Sequence, residues 1–343
     1  MDTGCAAMYE TPYKLGRPVL APSGVEGAYD ALAVDCPFVF YHRGKFHMLH
    51  IGFDGVGYQT GLAESDDLVN WTRKGVILAR NERDSGWDNV GQAGTWILKE
   101  SNELRGLPTL RKVDNKYWMI YHSYPGTGYE AGPAEMGLAW TEDEELLEWH
   151  RLPQPIFSWR DGKAWERGGL YKACLIEVDG VYYAFYNAKN AEERWTEQIG
   201  AAKSTDLVHW ERIEANPVLR VSPGSWDSQF VSDPCVVRDG EHWLMFYFGY
   251  DLNHAQGGLA VSRDLVHWRK LEHPILRHGG EGELDETHAH KSSVIYHNET
   301  LYHFYCAVRP RKEGDPANYG SSFRCITVAA SRPWPESKGS DAG

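Results

Sequence analysis

The chain of 343 residues holds six cysteines, Cys5, Cys36, Cys174, Cys235, Cys306 and Cys325, and none of them forms a Cys-x-x-Cys pair. Without that spacing, neither a zinc site nor a dithiol redox motif is indicated. Long apolar runs are missing too. No stretch of about 18 apolar residues occurs, so a helical membrane span is not expected. The first 20 residues have no apolar core of the secretion-signal kind, and the expectation is a cytoplasmic protein with reduced thiols. Positive charge is also in short supply. Against 48 Asp and Glu stand 35 Lys and Arg, a formal net charge of -13. Such a surface disfavours nucleic acid and anionic membranes as partners and suits a neutral or cationic small substrate.

Aromatic residues, by contrast, are abundant at 13%, with 14 Trp and 19 Tyr. Several of the Trp belong to a repeated phrase. ESDDLVNWTRKGVIL (Glu64–Leu78), TEDEELLEWHRLPQPIF (Thr141–Phe157), KSTDLVHWERIEANPVL (Lys203–Leu219) and SRDLVHWRKLEHPIL (Ser262–Leu276) share one pattern. Each copy follows an apolar strand, a tight turn, an aromatic-rich strand and a short strand of small residues such as TGLAES or IGAAKS. The turns are Arg43-Gly44, Asp114-Asn115, Asp179-Gly180, Asp239-Gly240 and Asn298-Glu299. Turn pairs of this kind between alternating apolar runs signal hairpins.

A unit of about four antiparallel strands, repeated five times, predicts an all-β protein, a five-bladed β-propeller in a single domain over residues 1–343. The predicted blades cover 35–80, 106–157, 170–219, 231–276 and 289–334, with the N-terminal residues available to close the ring. Trp71, Trp149, Trp210 and Trp268 then occupy equivalent places and pack blade on blade, while the Asp of each phrase caps a turn. A second repeated pair, an aromatic or Leu followed by an acid, precedes each inner strand: Tyr29-Asp30, Trp87-Asp88, Trp165-Glu166, Trp226-Asp227 and Leu284-Asp285. In the second unit an insertion from about Gly94 to Arg105 pushes it back. An acid present in every unit reads first as a structural device.

Function belongs where equivalent positions differ. Around the predicted central funnel the inner strands open with Asp35-Cys36, Gly106-Leu107, Tyr171-Lys172, Ser232-Asp233 and His290-Lys291. Charged groups converging from separate blades on one pocket are what catalysis requires. Two carboxylates, Asp35 and Asp233, suggest glycoside hydrolysis, in which one acid protonates the leaving oxygen and a second carboxylate activates water or attacks carbon. Asp35 is read as base or nucleophile and Asp233 as orienting substrate. The acid is His290, Glu286 or Glu166. Lys172, Lys291, His288, Tyr171 and Trp96 are candidate substrate contacts, Tyr58, Tyr129 and Trp195 further rim aromatics, and Glu130 part of a narrowing loop. Cys36, Cys174 and Cys235 read as small buried residues. No metal site is assigned and no cofactor is required, although a structural calcium on the axis is one use for His288 and His290. The expected partner is an oligosaccharide or glycoside; oligomeric state is open.

On the five units, on D-C-P at Asp35 and S-D-P at Asp233, and on the S-x-D-L-x-x-W phrase, the sequence resembles the five-bladed propeller glycosidases of glycoside hydrolase families 43, 32, 117 and 130. That resemblance implies an exo-acting glycosidase with Asp35 as base or nucleophile. A glycoside phosphorylase is the alternative, with Lys172, Lys291, Arg309 and Arg311 as its phosphate cluster. A non-catalytic carbohydrate-binding propeller is another.

Overall fold

The structure, a computed structural model, describes residues 7–81, 86–316 and 321–335; Cys5 and most of the polar C-terminal tail lie outside them. Among the described residues there is no α-helix, only three short 3-10 turns between strands. The strands pair antiparallel in five consecutive groups. The first comprises Ala33–His42, Lys45–Phe53, Tyr58–Ser65 and Thr72–Leu78. The third is Gly169–Val178, Val181–Lys189, Glu197–Ser204 and Glu211–Arg212, and the fourth is Phe230–Asp239, His242–Tyr250, Ala255–Ser262 and Arg269–Lys270. In the fifth, His288–His297, Thr300–Pro310 and Ser322–Ala330 receive Tyr13–Lys14 as the outer strand. Single parallel bridges, Glu197 to Phe230 and Ala255 to His288, join the last three groups into one sheet.

The second group departs from the sequence expectation. Its inner strand is Gly91–Ile97, which pairs with Lys116–Tyr124, followed by Glu135–Thr141 and His150–Arg151. The insertion follows this strand rather than preceding it, and Lys112–Val113 is only a two-residue strand. Ala93-Gly94, not Gly106-Leu107, therefore stands level with the other four pairs. The hairpin turns behave as their residues require. Arg43-Gly44, Asp114-Asn115, Asp179-Gly180 and Asn298-Glu299 all have positive φ at both residues. In the fourth group Asp239 already pairs with His242, so the turn is Gly240-Glu241.

Each D-L-x-x-W phrase is a self-contained turn. Asp206 Oδ1 accepts the main-chain N–H of Val208 and His209, Leu207 adopts φ 67°, and Trp210 Nε1 donates to the Leu207 carbonyl at 2.7 Å. The same contacts recur at Asp67 and Asp264. Each Trp then packs on the preceding group: Trp210 on Phe157 at 6.2 Å, Trp268 on Phe185 at 5.8 Å. Trp71 of the first group meets Phe304 of the last at 5.7 Å, so the two ends of the repeat lie side by side.

The acid before each inner strand is also structural. Asp30 accepts Arg73 Nε at 2.6 Å, Glu166 accepts Arg212 Nε at 2.8 Å and Asp227 accepts Lys270 Nζ at 2.5 Å, each cation standing on its own group's outer strand. In the fifth group the partner of Asp285 is Lys14, at 2.7 Å. The N-terminal strand thus supplies the cation that an outer strand supplies elsewhere. The aromatic of the pair lies over a Tyr of the middle strand, as Trp165 does over Tyr186 and Trp226 over Tyr247. This explains the glycine of the small-residue strand. A Cβ at Gly137, Gly200 or Gly258 would come within 2.6 Å of the indole of Trp87, Trp165 or Trp226.

Candidate active site

Every inner strand carries an irregularity at the same height, between Asp35 and Phe38, Gly94 and Trp96, Tyr171 and Ala173, Ser232 and Cys235, and His290 and Ser293. A bulge inserts one extra residue and re-aims its side chain. The inserted residues include Cys36, Asp233 and Lys291, with φ 49°, 56° and 62°. Such φ is uncommon outside glycine and concentrates at functional sites. With Lys172 they form the floor of a cavity of about 860 Å³.

Asp35 is buried and does not line that cavity. Its Oδ2 accepts Lys291 Nζ at 2.9 Å, Arg324 Nη1 at 3.1 Å and the Tyr129 hydroxyl at 3.3 Å. Burial opposes its charge, but Lys291, Arg324 and His290 outweigh burial and hold the carboxyl far below the usual carboxylate range. Asp233 and Lys172 face each other across 3.7 Å, both nearly sealed from solvent. Burial raises Asp233 despite Lys172 and Lys291 nearby.

The walls hold two glutamates. Glu197 opens the third strand of its group, and Glu130 sits in the 125–134 loop with φ 51°. Glu197 accepts the Ser232 hydroxyl at 2.8 Å and Trp195 Nε1 at 3.3 Å. Burial, then the neighbouring Glu130 charge, push its carboxyl up to about 7. Glu130 accepts the Tyr58 hydroxyl at 3.2 Å and lies 3.7 Å from Lys291 Nζ. Tyr124, Tyr129, Tyr171, Phe230, Tyr250 and Trp195 supply flat apolar surface around them.

Of the residues singled out from the sequence, Asp233, Lys172, Lys291, His288, His290 and Tyr171 line the cavity together. Three others are elsewhere. Glu166 is buried between Arg212 and the Tyr186 hydroxyl, 2.7 Å away, within its own group. Glu286 turns back on its loop and accepts the Gly282 N–H at 2.8 Å. Trp96 is a core residue, its ring 4.5 Å from that of Phe38. His290, though in the cavity, is ill suited to be an acid. Its Nδ1 lies 3.1 Å from the Cys306 carbonyl, which can only accept. The proton is therefore on Nδ1, and burial, Arg324 and Lys291 hold the ring neutral. His288 is likewise neutral, lowered to about 4 by burial and then by Arg324. Among the described residues, no three His, Cys, Asp or Glu side chains are grouped to hold a metal ion.

We expect Glu166→Gln to lower the unfolding midpoint, because it strips the partly buried Arg212 of its carboxylate, yet to leave the kinetics of the folded protein unchanged. Chemical unfolding followed by kinetics on the folded fraction checks both halves.

Glu197 and Arg324 escaped the sequence reading, although a signal existed. Aligned on the glycine or its counterpart, the third strands place Tyr58, Ala134, Glu197, Ala255 and Arg324 at one height, opposite Phe53, Tyr124, Lys189, Tyr250 and Val308 or adjacent to them. Charge at two of five such positions breaks the repeat just as the inner strands do.

Residues 107–286, more than half of the chain, match the model of the glycosyl hydrolases family 32 N-terminal domain. The chain belongs to this family. This glycoside hydrolase is also similar, at 31% identity and TM-score 0.82, to the solved structure of a BT0996 complex with RGII, over 98% of its own length and 96% of that protein's. A structure described as a glycoside hydrolase is similar at 30% identity and TM-score 0.80, over 98% and 96% of the two lengths. The 1,2-beta-oligomannan phosphorylase of Thermoanaerobacter sp. (strain X514) is 24% identical over 84% of this chain and 90% of its own. The all-β architecture is thus that of the propeller glycoside hydrolases.

Proposed function

We propose that this glycoside hydrolase is a five-bladed propeller that removes single sugars from the ends of an oligosaccharide, with Glu197 as general acid and Glu130 as the second carboxylate. The observation that carries this reading is the pair itself. Two glutamates on different groups face one aromatic-walled cavity, and one of them is poised near neutral pH, where a general acid is most effective. Glu130, held by Tyr58 and Lys291, is the group left to activate water or attack the anomeric carbon. The exo mode follows from shape. The floor is closed by ion-paired side chains, so a chain end enters and a chain interior does not.

The similarity to an oligomannan phosphorylase favours a second reading, transfer to phosphate. The cations considered for phosphate are occupied. Lys291 is bound to Asp35, Lys172 faces Asp233, Arg309 forms a bidentate pair with Asp315, and Arg311 donates to the Asp315 carbonyl. Hydrolysis is the reading these pairings support.

The test is a turnover screen on aryl glycosides, RGII and 1,2-beta-oligomannan, with and without phosphate. A free monosaccharide released at a rate indifferent to phosphate is expected. A sugar phosphate as product would overturn hydrolysis, and internal fragments would overturn the exo mode.

A further inference from the structure

Two polar atoms at the cavity floor have no hydrogen-bond partner: Lys172 Nζ and Asp233 Oδ2. Their side chains are 5% and 6% exposed, and the atoms stand 3.7 Å apart, too far for a hydrogen bond. Leaving buried polar groups unsatisfied is costly, and each such case in a folded protein calls for an explanation. Both residues sit on bulges that aim them at the cavity, and His122 Nδ1 fixes one bulge by accepting the Lys172 main-chain N–H at 3.2 Å. They also lie below the glutamates. Glu197 pairs across to Lys189, whereas Tyr171, next to Lys172, pairs with Asn187, one side-chain layer further from the mouth.

We infer that Lys172 and Asp233 together anchor a hydroxyl of the terminal sugar ring, and that this sugar is neutral. The assignment rests on the cavity being the glycosidase site proposed above. A hydroxyl is donor and acceptor at once. Lodged at the gap, it accepts from Lys172 Nζ and donates to Asp233 Oδ2, completing both groups in one step. Neutrality follows from the charge balance around it. Lys172, Lys291 and Arg324 are matched by Asp233, Asp35 and Glu130 through contacts of 3.7, 2.9, 3.7 and 3.1 Å. A sugar carboxylate or a phosphate would bring an unmatched charge into a nearly sealed floor, where it is expensive.

The experiment is binding, by titration calorimetry on the full-length protein. The probes are L-arabinose, D-galactose, D-mannose and D-fructose on one side, and D-glucuronate, D-galacturonate and inorganic phosphate on the other. A neutral sugar is expected to bind, and Lys172→Met and Asp233→Asn are each expected to weaken it by ~10–100-fold, the loss of a hydrogen bond to a charged group. Because either variant can destabilise the fold, monodeoxy analogues of the best sugar are titrated into the unaltered protein. One of them should show the same loss there and no further loss in the variants. Tightest binding by a uronate or by phosphate would overturn the assignment. So would affinity unchanged in both variants, or no neutral sugar bound. Since the readout is binding, lack of turnover through Glu197 would defeat the catalytic reading and leave this assignment standing. Turnover with sugar affinity insensitive to Lys172 and Asp233 would do the reverse.

Discussion

Glu197→Gln is expected to lower kcat/KM by ~10²–10⁴-fold on a glycoside with a poor leaving group, and far less on a dinitrophenyl glycoside. The difference is the mark of an acid. A leaving group that departs unaided does not need the proton that Gln cannot give. The pH profile should change in step. Glu197 is active when protonated, and burial beside Glu130 raises it to about 7, so activity falls as pH rises through that value. In the variant, assayed on the activated glycoside, that limb should vanish. Stability follows the same titration. A carboxyl raised in the folded state contributes stability that is fully present below its unfolded value and lost as pH rises through the folded one. Wild type should therefore lose stability between about pH 4.5 and 7 relative to the Gln variant. An equal loss of activity on both glycosides would assign Glu197 to binding instead.

Asp35→Asn should cost ~3–5 kcal/mol of folding stability, the usual consequence of removing one partner of a buried charge cluster. Lys291 and Arg324 both depend on this carboxylate, and burial leaves them few alternatives. Because both cations line the cavity, activity should fall as well. A role as catalytic base alone predicts a dead enzyme of normal stability, and urea unfolding separates the two outcomes. A carboxylate so strongly held is a poor proton acceptor, which is the physical argument for a positioning role. The sign of the pH effect follows from the lowered value. The Asp35 contribution is complete above about pH 4, its unfolded range, and is lost as pH falls towards the folded value.

The repeat was legible because its residues act locally. Asp-Gly and Asn-Glu turns, the Asp of each D-L-x-x-W phrase and the glycine under each indole work within a few residues or one hairpin, so they recur wherever the unit does. The same locality exposed Glu166 as structural, since every unit has its counterpart. The insertion in the second group misled for the converse reason. Residues 98–111 separate the inner strand from its partner, and with no tight turn to mark the pairing, Pro108 looked like a strand start. Taken alone, the sequence determined an all-β repeat and the bulged residues that differ between units, Asp35, Lys172, Asp233 and Lys291 among them. Only the tertiary structure decided which carboxylates are free to work. Asp35 is locked because Lys291 and Arg324, 256 and 289 residues away in the sequence, close on it. Glu197 is raised because the fold buries it beside Glu130, which no spacing in the sequence records. Proton affinity depends on what surrounds a group in space, and in a fold built of repeats those neighbours come from distant parts of the sequence.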